Sequence, residues 1–368
     1  MVRQRALRGP LSFGRTSRVG VVTRRMAYVL GVVAVLALAA GCGGSSNKSS
    51  GGTTTAASGG ANSHKTVALV SDIGKFNDRS FNQSQKEGLD RAKADLGIQT
   101  AELQSNSTSD YVPNLTQAVR KKADLIIAAG FLLADATNTV AQKNPNIHFA
   151  ITDYDVKGTP FNGRRNVMGL TYAANESGCL VGYLAAEMAK KQGGKQIIGA
   201  VGGLKIPPVD IWIAGYQYCA KLFNPKIKVL VGYSQDFVAS DKCKTVAQNQ
   251  ISQGAQVLLQ VAGGCGLGTL KAADEAGIWG IGVDKDQYND AKRVLTSGVK
   301  RVDNGVFQAS KLVTQNQFRG GSNLLFNLKN GGMDVGKINP AVPKALIDKM
   351  NELKQKIISG QVKPPASL

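Results

Sequence analysis

Carboxylates, aromatic rings and glycines recur in this chain directly after short apolar runs. Asp72-Ile-Gly-Lys-Phe-Asn-Asp78 follows KTVALVS, and Phe81 stands just beyond it. Gly130-Phe131 follows ADLIIAA, and Asp153-Tyr-Asp155 follows HFAIT. Later, Phe237 comes after KVLVGYSQD, Gly263-Gly-Cys-Gly-Leu-Gly268 after VLLQVA, and Asp284-Lys-Asp286 after WGIGV. Carboxylates accept hydrogen bonds from sugar hydroxyls and base N–H groups, and rings stack on a flat base. The set suits a neutral, polyhydroxylated, flat ligand held without covalent chemistry. Each feature also has a local reading. Asp72, Asn77 and Asp78 can cap a helix together with Ser80, and Phe81 and Phe237 can be core residues. Gly263–Gly268 matches neither G-x-G-x-x-G nor the Lys-bearing phosphate loop. It reads as a tight strand-to-helix turn that can still present N–H groups to a ligand.

Catalysis is poorly served by the same inventory. The chain has two histidines, His64 and His148, which excludes a multi-His metal site and argues against a His-based dyad. No nucleophile–base pair is visible, and no C-x-x-C pair offers a zinc site. A nucleoside hydrolase would want a clustered aspartate motif, and Asp72…Asp78 is too loosely spaced. The expectation is a binding protein with no cofactor and no metal.

The runs that carry these residues alternate with helical patterns. Strand-like segments at 65–71, 100–103, 123–129 and 148–152 alternate with helical ones at 81–96, 112–122 and 134–143. Gly97 ends the first helix, and Pro113 sits in the first turn of the second. The alternation restarts with strands at 167–172, 197–201, 228–231, 257–261 and 279–283, separated by helices at 179–191, 211–223, 242–253 and 267–276. A further amphipathic helix is predicted over 343–359. Two tandem α/β units imply two similar parallel-sheet domains. Ligands of such sheets sit beyond the carboxyl ends of the strands, where the candidate residues fall.

The 368 residues hold 45 Lys+Arg against 25 Asp+Glu, a net charge of +20. Eight of those basic residues and no acid lie in 1–64, so the remaining 304 residues carry 37 basic and 25 acidic groups, a net +12. That excess is spread along the body without a cluster or motif, so no nucleic-acid partner is expected. Residues 26–41 are an apolar run behind Arg24-Arg25, short for a spanning helix and fitting a signal peptide. It ends in Leu38-Ala-Ala-Gly-Cys42, a bacterial lipobox with Ala39 where Leu is commoner, which makes Cys42 the lipidation site. Residues 43–64 are Gly/Ser/Thr-rich and read as a flexible tether. Signal, lipidated cysteine, tether and globular body are the layout of an exported receptor, lipid-anchored to the outer face of the cytoplasmic membrane.

Four cysteines remain: Cys179, Cys219, Cys243 and Cys265. An even number in an exported domain suggests disulfides, and four cysteines allow three pairings. Cys243 and Cys265 each begin a helix after neighbouring strands, and Cys179 and Cys219 both lie on second-domain helices. This favours Cys179–Cys219 with Cys243–Cys265, four buried thiols being the alternative.

The strings Asp72-Ile-Gly-Lys-Phe-Asn-Asp-Arg-Ser-Phe-Asn-Gln83, Ala129-Gly-Phe131, Gly263-Gly-Cys-Gly-Leu-Gly268 and Ile281-Gly-Val-Asp-Lys-Asp-Gln287 stand in this order. They closely resemble the basic membrane lipoprotein family, the purine-nucleoside receptors of ABC importers. The resemblance runs from about residue 65 to the C-terminal Lys-Pro-Pro, and the first and last strings are its specific parts. It implies the type I periplasmic-binding-protein fold, with two Rossmann-like parallel-sheet domains and a ligand cleft at the hinge. The corresponding division is 1–42 signal peptide with lipobox, 43–64 tether, 65–170 plus about 285–320 as N-terminal domain, and 171–284 plus about 321–368 as C-terminal domain.

By the same resemblance, Phe81 and Phe237 sandwich the purine. The segment around Phe237 departs from the family's wording, which keeps Trp212 and Tyr233 open as the second ring. Asp72 opens the first string, and Asp153 binds the base, with Asp155 as fallback. Asp284 holds the ribose hydroxyls together with Lys300, which is placed by a Leu295-Thr-Ser297 turn. Gly263 lets the backbone approach the sugar. The implied partners are a purine nucleoside and ABC permease subunits, with the receptor itself a monomer. A sugar or another small polar solute in the same fold is the main alternative. A transcriptional regulator with this sensor fold is disfavoured, since no helix-turn-helix precedes residue 65.

Overall fold

The computed structural model describes residues 64–368. The signal peptide, Cys42 and the tether lie outside the described residues, His64 excepted. The chain opens with β1 (Thr66–Ser71), α1 (Phe81–Leu96), β2 (Gln99–Leu103), α2 (Tyr111–Arg120), β3 (Leu125–Ala129), α3 (Ala134–Lys143), β4 (His148–Thr152) and β5 (Val167–Tyr172). The pattern repeats as α4 (Ala174–Gln192), β6 (Ile197–Gly202), α5 (Pro207–Phe223), β7 (Lys228–Tyr233), α6 (Ser240–Ser252), β8 (Ala255–Val261), α7 (Gly266–Glu275), β9 (Trp279–Asp284) and β10 (Val294–Lys300). It closes with α8 (Val302–Thr314), β11 (Asn323–Phe326), β12 (Met333–Val335) and α9 (Lys344–Ile358).

The strands build two six-stranded sheets of matching order, β11-β5-β4-β3-β1-β2 and β12-β10-β9-β8-β6-β7. Every pairing is parallel except β10 with β12. Parallel sheets are covered on both faces, so their inner strands read as continuous apolar runs. β3 (LIIAA) is buried at all of its residues, and β1 at all but Thr66. Alternation of side chains between faces sends Val67 and Leu69 into one core and Ala68 and Val70 into the other.

Helix ends follow local chemistry. The first turn of α1 is held by Asp78, whose carboxylate accepts from the amides of Ser80, Asn82 and Gln83 at 2.8–3.0 Å. Ser80 itself makes no side-chain cap; its hydroxyl is turned across to the second lobe. Two helices begin earlier than their periodicity suggests. α5 starts at Pro207 because Pro207-Pro208 fits a first helical turn, whose N–H groups lack helical partners. α4 starts at Ala174 and packs along α5, with 13 of its 19 residues buried. Glycine permits that approach: a Cβ at Gly182 would stand 2.3 Å from the Tyr216 carbonyl oxygen.

Membership of the C-terminal segments differs from the expected 285–320 and 321–368 division. β10 pairs in parallel with β9, Val299 opposite Asp284, so residues 294–300 belong to the second sheet. The Leu295-Thr-Ser297 segment is therefore strand rather than turn, buried where β9 and β12 flank it. α8 then returns to pack on α1, and β11 pairs with β5, Asn323 opposite Gly169. β12 and α9 return to the second lobe. The chain thus crosses between the lobes near 173, 301 and 327–332. β10, α8, β11 and β12 were not assigned from the sequence, although α8 buries Val302, Val306, Ala309 and Val313 at helical spacing.

Two disulfides are formed, Cys179–Cys219 joining α4 to α5 and Cys243–Cys265 joining the start of α6 to the turn before α7. Their Cα separations are 4.9 and 5.6 Å, within the ordinary range. No helix among the described residues is long and apolar enough to cross a membrane.

Candidate ligand-binding site

Between the lobes lies a cavity that encloses about 570 Å³ of empty space when its open mouth is counted. All seven residues expected from the sequence line it: Asp72, Phe81, Asp153, Phe237, Gly263, Asp284 and Lys300. Asp72 stands one residue beyond β1, Asp153 one beyond β4, and Phe81 is the first residue of α1. From the other lobe, Phe237 comes from the β7–α6 loop, Gly263 follows β8, and Asp284 and Lys300 end β9 and β10. Parallel strands deliver these positions to the cleft because their carboxyl ends all face it.

Asp153 and Asp284 occupy matched places in the two lobes, and both hold a left-handed backbone, φ 64° and 66°. Such conformations in residues other than glycine collect at functional sites. Lys300 is almost fully buried, 2.5 Å from Asp153 Oδ2, and its ammonium lies 5.0 Å from the ring centroids of both Phe81 and Tyr172. Asp284 Oδ2 accepts from the Ser80 hydroxyl at 2.8 Å, a second contact between lobes. Gln287 supports that turn: its Oε1 accepts from the Val283 amide at 3.1 Å, and its own amide donates to Ser297 Oγ at 2.9 Å. Gln287 and Ser297 thus brace the end of β9 that carries Asp284. Exposed ion pairs of Arg79 with Asp290 and of Lys285 with Glu87 also span the lobes.

The carboxylates share a dry space. Burial pushes Asp72 up from 3.8 to about 7, against hydrogen bonds from Gly74 and Asn82. Repulsion from Asp78 and Asp153 adds to the rise. Burial likewise lifts Asp284 to about 6, opposed first by Lys300. Asp153 is also raised by burial and opposed by Lys300. A ligand that donates hydrogen bonds to these oxygens replaces the water they have lost.

The alternatives weighed in the sequence separate by position. Asp155 faces away, its Oδ1 accepting from the Lys157 amide at 2.9 Å and Asn323 Nδ2 at 2.6 Å. Tyr233 does not line the cavity, and its hydroxyl donates to Asp210 at 2.6 Å. Trp212 lines it but is 1% exposed, set against Gly298, where a Cβ would come within 2.5 Å of the indole. Phe237 lies over Gly203, where a Cβ would meet the ring at 2.3 Å. Gly130, φ 123°, similarly leaves room for Phe81: a Cβ there would sit 3.1 Å from its Cε1.

Asn82 was missed as a site residue. It is 2% exposed, and its Nδ2 donates to Asp72 Oδ1 at 2.7 Å and Asp78 Oδ2 at 3.2 Å. Its Oδ1 has no protein partner. The signal was present, since Asn82 follows Phe81 in the first string. Asp78 and Phe131 also line the cavity. Among the described residues no group of three or more His, Cys, Asp or Glu is placed to hold a metal ion.

Two lobes of matching strand order, with the cavity at the carboxyl ends of both sheets, define the type I fold of periplasmic solute-binding proteins. A solute-binding protein of an ABC transporter from Aeropyrum pernix K1 shares the structure, with TM-score 0.74 and 28% identity over 82% of this chain and 94% of that one. The model of the PnrA-like family of ABC transporter substrate-binding proteins, Bmp, matches residues 65–367, and the chain belongs to that family. An ABC transporter nucleoside-binding protein BmpA from Lactococcus lactis is 34% identical over 322 residues, 82% of this chain and 89% of its own. A CD4+ T-cell-stimulating antigen from Listeria monocytogenes is 34% identical over 324 residues, 82% of this chain and 88% of its own.

Proposed function

We propose that this substrate-binding protein is a lipid-anchored receptor that captures purine nucleosides outside the cytoplasmic membrane and delivers them to the permease of an ABC importer. The observation that carries this reading is that Phe81 and Phe237 come from opposite lobes into one cavity that also holds Asp72, Asp153 and Asp284. Two rings accept a flat base between them, and base–aromatic stacking contributes about 1–3 kcal/mol. Asp72 and Asp153 accept from the base N–H groups, while Asp284 accepts from ribose hydroxyls and Lys300 donates to the sugar. Gly263 brings the backbone close to the sugar. The name of the Lactococcus relative, a nucleoside-binding protein, agrees with this ligand class. Binding needs no bond making; closure of the hinged lobes around the ligand is the signal the permease reads. Cys42 and the 43–64 tether supply the anchor, and the receptor acts as a monomer.

Calorimetric titration of residues 65–368, unfolded and refolded to strip retained ligand, with guanosine, inosine, adenosine, uridine and ribose tests the reading. Tight binding of purine nucleosides supports it. Binding of ribose alone moves the assignment to a sugar receptor, and no binding removes the basis for the ligand. Labelling of the intact chain with a lipid precursor, lost in Cys42→Ala, tests the anchor.

A further inference from the structure

Phe237 sits in a loop at the edge of the second sheet, held locally by the Ser234 and Gln235 amides, which donate to the Gly202 and Gly203 carbonyl oxygens, and by Asp236 Oδ1, which accepts from the Val238 and Ala239 amides. β7 is the outer strand of the second sheet and is nowhere fully buried, so the loop from Ser234 to Ala239 leaves an edge that only β6 holds. Two attachments secure this loop to the opposite wall of the second lobe. The Cys265 amide donates to the Phe237 carbonyl oxygen at 3.0 Å. The Cys243–Cys265 disulfide then ties that same residue to the first turn of α6, immediately after the loop. Both cysteines are completely buried. The next helical turn reinforces the clamp, since α7 approaches α6 so closely that a Cβ at Gly268 would stand 1.9 Å from the Ser240 carbonyl oxygen. Cys265 is also next to the ligand wall, directly after Gly263 and Gly264, whose ideal Cβ positions lie 3.5 Å from the Phe237 carbonyl oxygen and within 4 Å of Asp78 in the first lobe.

The other disulfide is placed differently. Cys179–Cys219 joins α4 to α5, helices already packed through glycine contacts along their length. Cys219 lies seven residues beyond Trp212, the nearest cavity residue on α5, which is about 10 Å along a helix axis. One disulfide thus braces the core of a lobe, and the other braces the cavity wall.

We propose that the Cys243–Cys265 disulfide is a positioning element of the ligand site, holding the Phe237 loop and the Gly263–Gly264 turn in fixed register for a planar ligand. Cys179–Cys219 contributes stability only. The inference rests on the reading of the cavity as the ligand site. The test compares C243A/C265A with C179A/C219A by calorimetry, using whichever of guanosine, inosine and adenosine the native sequence binds best, and by hydrogen exchange without ligand. In C243A/C265A, amides at 236–239 and 263–266 are expected to exchange at least tenfold faster and Kd to rise at least tenfold. In C179A/C219A, Tm falls while Kd stays within twofold and those amides keep their protection. Equal effects of the two pairs on Kd, or unchanged exchange in C243A/C265A, overturn the proposal.

If C243A/C265A does not fold, the folded C179A/C219A protein is treated with a water-soluble phosphine. The phosphine becomes its oxide with oxygen from water, the two sulfurs become thiols, and the same measurements follow before and after. Should the native sequence bind no nucleoside, the function proposed above fails, while the exchange comparison still decides whether the disulfide holds the loop.

Discussion

Replacing Asp72 by asparagine is expected to stabilise the ligand-free protein at neutral and alkaline pH while weakening its proposed task. The carboxyl is buried, and its pKa rises from 3.8 to about 7. Both of its protein hydrogen bonds are accepted by Oδ1, from the Gly74 amide at 2.8 Å and Asn82 Nδ2 at 2.7 Å. An asparagine carbonyl oxygen can accept both, so the substitution removes the buried charge and little else. A displacement from 3.8 to about 7 corresponds to about 4 kcal/mol, at about 1.4 kcal/mol per tenfold change. The sign follows from where the proton resides. Between pH 4 and 7 the folded protein keeps a proton on Asp72 that the unfolded chain has lost, so stability falls as pH rises through this window. The contribution is fully present below pH 3.8 and lost above about 7. Urea unfolding of ligand-stripped protein from pH 4.5 to 8 should show D72N gaining on the parent by about 3 kcal/mol across the range. Calorimetry at pH 8 should show weaker nucleoside binding in the same variant. Parallel stability curves for the two proteins would refute the claim that this carboxylate is held in a dry site at a cost to the fold.

Other outcomes follow from the same geometry. Phe81→Ala and Phe237→Ala should each weaken purine-nucleoside binding by about 10- to 100-fold, the value of one base–aromatic stack, measured by calorimetry. Lys300→Met leaves Asp153 buried without its 2.5 Å partner and should cost about 3–5 kcal/mol in urea unfolding. The double variant D153N/K300M should recover most of that loss. Gly130→Ala puts a Cβ at φ 123°, 3.1 Å from Phe81 Cε1 and 3.3 Å from Asp72 Oδ2. It should lower stability by about 1–3 kcal/mol and weaken the ligand, read by thermal unfolding and calorimetry together. Asp284→Asn should flatten the fall in stability toward pH 6 for the reason given for Asp72, since burial lifts Asp284 to about 6.

Much of this architecture could be read along the chain because its signals are local. Buried parallel strands must be nearly all apolar, which exposed KTVALVS, LIIAA and HFAIT as strands, and the helical period located α1 and α3 to the residue. Strand ends then indicated the site, since a parallel sheet sends every carboxyl end the same way. The strands and helix after residue 285 were different. Val294–Lys300 is strand only because β9 and β12 lie beside it, and the lobe to which a crossing segment returns depends on partners far away in sequence. Asn82 looked like one polar residue among many until folding placed it between Asp72 and Asp78 with one oxygen unpartnered. The alternation of apolar runs and helical patterns by itself indicated the fold class, the motif strings indicated the family, and residue types at strand ends nominated candidates for the site. Tertiary structure alone decided that Asp153 rather than Asp155 lines the cavity, that Phe237 and Trp212 line it while Tyr233 does not, and how burial raises the acids. Those properties arise from distance and exclusion of water, which no single segment of chain carries.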